Sequence, residues 1–312
     1  MKIAFVYSGQ GAQYQGMGQE LYENNQVVRD VFQHASDALK MDMTSLCFDE
    51  NQQLNQTTYT QPAILTVSMA IDALLKEHGV VPEVVAGLSL GEYSALVKAG
   101  VLDFTTAVQL VKKRGQFMTE AVPAGDGAMS AVMGLNRKTI EEACIAASDS
   151  GVVSPANYNM PGQIVIAGLK EAVAKATLLL EEKGAKRIIP LQVSGPFHTA
   201  LLKPAAIELA NELEAIEFHP LNLPVISNTT AKIITDKADV KPLLTQQVMS
   251  PVLWEDSVNT MIDMGVDTFI EVGPGKALSS FIKKINRNVT ILNVENQKTL
   301  DKTIETLKGM ST

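Results

Sequence analysis

Along the chain, short unbroken apolar runs alternate with segments whose apolar positions recur at helical spacing. Ile3–Ser8, Val84–Ala86, Pro224–Ser227, Thr268–Val272 and Thr290–Val294 predict strands, most with little polar alternation. Strands covered on both faces read that way, as in a parallel sheet between layers of helices. Between them, Gln61–His78, Glu92–Ala99, Phe104–Thr119, Ala200–Ile216 and Lys276–Ile285 predict helices, and Gly79 and Gly100 stand where a terminating glycine belongs. From Gly127 to Val193 the rhythm changes. It runs strand Ala128–Met133, helix Arg137–Ser148, strand Val152–Asn157, a turn at Asn159-Met160-Pro161-Gly162, and strand Ile164–Ala167. Helix Glu171–Lys183 and strand Lys186–Val193 complete the order βαββαβ, the ferredoxin-like unit. The expectation is an α/β core with a parallel sheet, residues 1–124 and 197–312, interrupted by a ferredoxin-like insert at 125–196. A cleft belongs where the two meet.

One turn in this frame carries chemistry. Gly87-Leu88-Ser89-Leu90-Gly91 is a G-x-S-x-G directly after a buried strand and directly before a helix. A turn that sharp brings backbone segments together, so glycine at 87 and 91 avoids a clash. It also holds Ser89 at a helix N-terminus, where backbone N–H groups stabilise an oxyanion. The plainer alternative is a structural serine in a glycine-bounded turn, but the strand–turn–helix context favours a nucleophile. A serine hydroxyl needs a base to take its proton, and the chain has four histidines. His34 lies in a polar helical stretch, His78 precedes Gly79 at a helix end, and His219 precedes Pro220 at the end of another; all three read as surface residues. His198 follows Gly195-Pro196-Phe197 at the exit from the insert and precedes a helix. Elimination leaves it as the base.

Two further positions stand out. On the helix Phe104–Thr119, Ala107, Val111, Arg114 and Met118 share one face, whereas Lys112 and Lys113 fall off it. A cation on an apolar stripe needs a partner; a structural ion pair and a bidentate clamp on a substrate carboxylate fit equally well. After the first strand comes Ser8-Gly9-Gln10-Gly11-Ala12-Gln13. A dinucleotide loop fails because Tyr14 stands where the third glycine belongs, and no G-K-[ST] follows for a phosphate loop. A tight turn is the simpler account, and close approach of Gln10 to a reacting carbonyl is the functional one.

Composition narrows the field. Hydrophobic residues make up 46% and charged residues 19% of 312, an ordinary globular balance. A net charge of −8 gives no basic face for nucleic acid. No stretch approaches the roughly 18 apolar residues of a membrane span, and the run Ile3–Tyr7 is too short for a secretory signal. Cys47 and Cys144 lack metal-ligand spacing and read as small buried hydrophobes, so no metal is expected. The expected place is the cytoplasm.

Several motifs in order resemble the malonyl-CoA:acyl carrier protein transacylase family across essentially the whole chain. They are Gly9-Gln10-Gly11, Thr60-Gln61-Pro62-Ala63, Gly87-x-Ser89-Leu90-Gly91-Glu92-Tyr93 and Arg114-Gly115-x-x-Met118. Asn159-Met160-Pro161-Gly162-Gln163, Phe197-His198, Ser227-Asn228-Thr229 and Glu271-Val272-Gly273-Pro274-Gly275 follow. The resemblance implies an α/β-hydrolase-like core carrying a ferredoxin-like insert. It implies that Ser89 is acylated by malonyl-CoA, releasing CoA, and that His198 is base and then acid. Gln10 and the backbone N–H of Leu90 would form the oxyanion hole. Arg114 would pair with the malonyl carboxylate, with Met118 and Phe197 beside the substrate. Gln247 matches the position whose backbone carbonyl orients the histidine, a dyad without an acidic third member. One departure is Leu88, where the family usually has histidine. Bulky Phe197 resembles the malonyl-selective pattern, although one methyl group is worth only roughly 1–3 kcal/mol of discrimination.

The implied partner is acyl carrier protein, of fatty-acid or polyketide synthesis. Because that partner is acidic, the docking patch should be basic. Lys186 with Arg187, and Lys283 and Lys284 with Arg287, are the candidates, against the alternative of ordinary solvated faces. No cofactor is implied, and a monomer is expected. A serine esterase or thioesterase on the same core is the competing enzyme, but its base usually comes late in the chain, and no histidine follows His219. A non-catalytic carrier-docking subunit should have lost Ser89, His198 or Arg114; all three are present.

Overall fold

A computed structural model describes residues 1–192 and 195–310. In chain order the strands are β1 (Ile3–Tyr7), β2 (Val84–Gly87), β3 (Gly127–Met133), β4 (Val153–Met160), β5 (Gln163–Leu169), β6 (Arg187–Pro190), β7 (Val225–Ile226), β8 (Ile233–Ile234), β9 (Thr268–Val272) and β10 (Thr290–Val294). The α-helices are α1 (Gln19–Asn24), α2 (Gln26–Leu39), α3 (Met43–Phe48), α4 (Thr57–Glu77), α5 (Leu90–Lys98), α6 (Phe104–Glu120), α7 (Arg137–Ala147), α8 (Lys170–Glu182), α9 (Lys203–Glu214), α10 (Val240–Gln247), α11 (Trp254–Asp263), α12 (Ala277–Ile285) and α13 (Gln297–Met310).

The first sheet has the order β10-β9-β1-β2-β7-β8, parallel except for the short β8 at one edge. Its central strand alternates between two cores. Ile3, Phe5 and Tyr7 pack into one, while Ala4 and Val6 pack into the other with Trp254, Phe269 and Ile282. Burial on both faces explains why these strands read as unbroken apolar runs. Because β1 is flanked by β2 on one side and β9 on the other, the order in which the chain adds parallel strands switches sides at β1. Ligand sites of open α/β sheets form at such a switch point, beyond the carboxyl ends of the strands.

The second sheet is antiparallel, order β4-β5-β3-β6, and α7 and α8 cover it over a separate core that includes Ile140, Ile164, Ile166 and Leu180. Its chain order is βαββαβ. A bridge between Asn157 and Val252 ties β4 to the segment before α11, with Tyr158 N donating to Val252 O at 2.9 Å.

Element bounds differ from expectation in three instructive places. The helix expected at Gln61–His78 begins instead at Thr57 and carries Pro62 inside it. The predicted helix Ala200–Ile216 opens instead as a 3-10 turn, Ala200–Leu202, and becomes α-helical only where Pro204 lies at the start of α9. The last strand of the second sheet is Arg187–Pro190 rather than Lys186–Val193, and Val193 lies outside the described residues.

Candidate active site

Three strand ends converge. β1 runs into Ser8-Gly9-Gln10, β2 into Ser89, and β9 carries Glu271 one residue before its end. The turn after β2 is as tight as G-x-S-x-G requires. A Cβ on Gly87 would lie 2.0 Å from the backbone of Gly91, and one on Gly91 would lie 2.1 Å from Tyr7 O. Gly9 passes so close to Leu88 O that a Cβ there would approach to 2.4 Å, which brings the Gln10 loop against the turn.

Ser89 has φ 53° and ψ −102°, and His198 has φ 61°. Such conformations cost about 1–3 kcal/mol each and persist only where surrounding structure enforces them. Asn228 supplies part of that enforcement, because its Oδ1 accepts from Ser89 N at 2.6 Å and its Nδ2 donates to Gly87 O at 2.7 Å.

Ser89 Oγ and His198 Nε2 are 2.8 Å apart, and His198 Nδ1 lies 2.8 Å from the backbone oxygen of Gln247. A carbonyl can only accept, so Nδ1 carries the proton and Nε2 faces Ser89 as the acceptor. Burial first, and the Arg114 charge second, push His198 down to about 4. The imidazole is therefore neutral at ordinary pH, with Nε2 unprotonated toward the serine. Arg114, 1% exposed, donates from Nη2 to Ser89 Oγ at 3.1 Å and to Gln247 Oε1 at 2.9 Å, and from Nη1 to Gln61 Oε1 at 2.8 Å. Its guanidinium stacks 5.2 Å from the Tyr93 ring.

A cavity of about 340 Å³ opens beside Ser89 and His198. Gln10, Leu88, Met118, Asn157, Asn159, Phe197, Glu271 and Phe281 line it. Met118 lies one turn along α6 from Arg114, so one helix face supplies both the cation and part of the cavity wall. Gln10 Nε2 donates to Thr57 Oγ1 at 2.9 Å, which leaves its second N–H to give. Leu90 is the first residue of α5. Lys186 and Arg187 are exposed at the start of β6, and Lys283, Lys284 and Arg287 are exposed at the end of α12 and just beyond.

His34, His78 and His219 are exposed, as expected of surface residues. His219 lies in the loop after α9, not at a helix end, because the helix stops at Glu214 ahead of Pro220. The sequence assigns no role to Asn228 or Glu92, which it shows only within motifs, nor to the Gln247 side chain. In the sequence Glu92 stands out only as a member of the motif Gly87-x-Ser89-Leu90-Gly91-Glu92-Tyr93. It is 1% exposed, and burial pushes it up to about 7 against hydrogen bonds from Gln247 and Asn228.

Among the described residues, no cluster of three or more His, Cys, Asp or Glu side chains is arranged to hold a metal, and no helix is long and apolar enough to cross a membrane. The family model for the acyl transferase domain matches residues 4–307. A malonyl CoA-acyl carrier protein transacylase of Bacillus subtilis (strain 168) is 48% identical over 309 residues, covering 98% of each chain. The crystal structure of the malonyl CoA-acyl carrier protein transacylase of Clostridium perfringens ATCC 13124 superposes with a TM-score of 0.97 at 48% identity, covering 100% of this chain and 98% of that one. A malonyl-transacylase solved in complex with its type II polyketide synthase acyl-carrier protein superposes with a TM-score of 0.96 at 42% identity, covering 98% of this chain and 100% of that one. With the fold, the turn and the whole length in agreement, the chain belongs to the acyl transferase domain family, within its malonyl CoA-acyl carrier protein transacylase branch.

Proposed function

We propose that the chain moves the malonyl group from malonyl-CoA to the phosphopantetheine thiol of acyl carrier protein, supplying fatty acid synthesis in the cytoplasm. The observation that carries this is Arg114, a buried guanidinium 3.1 Å from the Ser89 hydroxyl, which itself lies 2.8 Å from an imidazole nitrogen. An esterase for neutral acyl groups has no use for that cation. An acyl group ending in a carboxylate does.

In the first half-reaction His198 Nε2 takes the hydroxyl proton as Ser89 Oγ bonds to the thioester carbonyl carbon. Gln10 and the Leu90 N–H stabilise the oxyanion. The tetrahedral adduct collapses, the carbon–sulfur bond breaks, and the departing CoA sulfur receives the proton from His198. In the second half-reaction the carrier thiol gives its proton to His198 and attacks the Ser89 ester; collapse returns that proton to Ser89 Oγ. The Gln247 carbonyl steadies the imidazole throughout. Neither half changes an oxidation state, so this reading requires no cofactor. Met118 and Phe197 confine the acyl group, and Leu88 fills the position before the nucleophile with an apolar wall.

The carrier of polyketide synthesis is a second acceptor to consider, since a relative at 42% identity was solved with one. Lys186, Arg187, Lys283, Lys284 and Arg287 supply the basic docking surface, and a single chain carries the whole site. Intact-mass spectrometry after mixing with malonyl-CoA tests the proposal. It should show a malonyl adduct that Ser89→Ala abolishes, with CoA released in a burst and little free malonate. Rapid turnover to malonate would make the chain a hydrolase.

A further inference from the structure

A buried guanidinium does not shed its charge, so a counter-charge must lie near it. The acceptors in contact with Arg114 are all neutral: Gln61 Oε1, Ser89 Oγ and Gln247 Oε1. The buried carboxylate facing it is Glu92, and the Gln247 amide stands between them. Gln247 Nε2 donates to Glu92 Oε2 at 2.6 Å and to Ser89 O at 2.9 Å, while its Oε1 accepts from Arg114 Nη2 at 2.9 Å. Acceptors surround one end of the amide and a donor meets the other, so it fits only one way round.

We infer that Glu92 is the counter-ion of Arg114, held one side chain away by Gln247, and that it takes a proton from solvent when an acyl carboxylate pairs with Arg114. This rests on the reading of Arg114 given above. In the empty site one positive and one negative charge balance. A substrate carboxylate makes the count two negatives to one positive in a desolvated space, and that is the condition that raises a carboxyl pKa. Glu92 is already pushed up to about 7 by burial, so a modest further rise keeps it neutral. No bond between heavy atoms changes; a carboxylate and a proton become a carboxylic acid.

The other ionisable groups facing this cluster are few. Tyr93, next to Glu92 on α5, is pushed up to about 12 by burial and stays neutral. On β1 and α4, Tyr7 and Asp72 form their own cluster with Lys98 of α5. Glu271, which lines the same cavity and is also pushed up to about 7 by burial, and His198, which feels the Arg114 charge, are the competitors for the proton.

Calorimetric titration of the Ser89→Ala variant near pH 8, in buffers of different ionisation enthalpy, counts the protons. Malonyl-CoA should bind with uptake of up to about one proton per site, acetyl-CoA with none, and Glu92→Gln in the same background should abolish the uptake. Tighter binding of malonyl-CoA without extra uptake would overturn the inference and leave the Arg114 reading intact. Uptake that persists in Glu92→Gln would place the proton on Glu271 or His198 and also overturn it. Equal affinity for the two ligands would remove the Arg114 reading and this inference with it. If Glu92→Gln does not fold, infrared difference spectra of the wild-type chain on malonyl loading decide. A new carbonyl stretch that shifts on exchange into D2O, as a carboxylic acid's does and the Ser89 ester's does not, and that survives in Glu271→Gln, supports the assignment, and its absence refutes it.

Discussion

Arg114 Nη2 donates to Ser89 Oγ at 3.1 Å, so the hydroxyl that faces His198 also rests against a buried positive charge. The guanidinium is within one hydrogen bond of the oxygen proposed to carry the acyl group, which is the basis for its proposed pairing with a carboxylate on that group.

Replacing Arg114 with alanine should therefore separate two substrates. Acylation by malonyl-CoA should fall by about 2–3 kcal/mol, roughly 30- to 160-fold, the scale of a charge-assisted hydrogen bond. Acylation by acetyl-CoA should change little. The rates of acyl-enzyme formation with each, by quenched-flow mass spectrometry, give the ratio directly. Equal losses would make Arg114 a structural residue.

Gln10→Ala should slow transfer by up to about 3 kcal/mol in the transition state, with the binding of malonyl-CoA nearly preserved. The amide also ties the loop to Thr57, so circular dichroism should first establish that the variant is folded. A folded variant with an unchanged rate would take Gln10 out of the oxyanion hole.

The pH dependence of acylation should lack an acid limb at the ordinary imidazole value of 6.5, because burial holds His198 down to about 4. The relevant measurement is kcat/KM against pH, which reports the base in the free enzyme. A break at 6.5 would mean that water reaches the ring freely.

Glu92 gives the opposite sign in stability. Its folded-state pKa is raised from 4.5 to about 7, chiefly by burial. The stabilisation it brings is fully present below 4.5 and is lost as pH rises through about 7. The unfolding free energy of wild type minus that of Glu92→Gln should thus decline across that window in chemical denaturation. A flat difference would show that the carboxyl is not perturbed.

Charge reversal at Lys186 and Arg187 should slow transfer to carrier protein on the order of tenfold at low salt, and leave acylation by malonyl-CoA untouched. Loss of both half-reactions together would rule out a docking role for the pair.

Much of this molecule is legible in one sequence because local and tertiary demands coincide. Thr268–Val272 stands out as a strand because it is a β-favouring run buried throughout, and Thr290–Val294 because its β-favouring run pairs with it at the sheet edge. The turn at Ser89 is visible because close backbone approach admits only glycine at 87 and 91. Arg114 is visible because helical periodicity places a cation on a buried stripe. The failures have a common cause as well. Asn228 clasps the nucleophile turn from 139 residues away, and Gln247 reaches Glu92 across 155. Nothing in the local pattern of either residue signals a partner at that distance. The helix α4 begins about a turn before the expected Gln61 because its first turn is held by burial of Thr57 and Thr60, two polar residues that give no apolar pattern.

Ser89 and His198 both hold φ values that an isolated chain abandons, and they come from segments joined only through the assembled body. The proposed capacity to form an ester at position 89 would thus be a sensor of tertiary order. Under gentle denaturation it should disappear while helical content is still nearly complete, since relaxation of either turn alone separates oxygen from nitrogen.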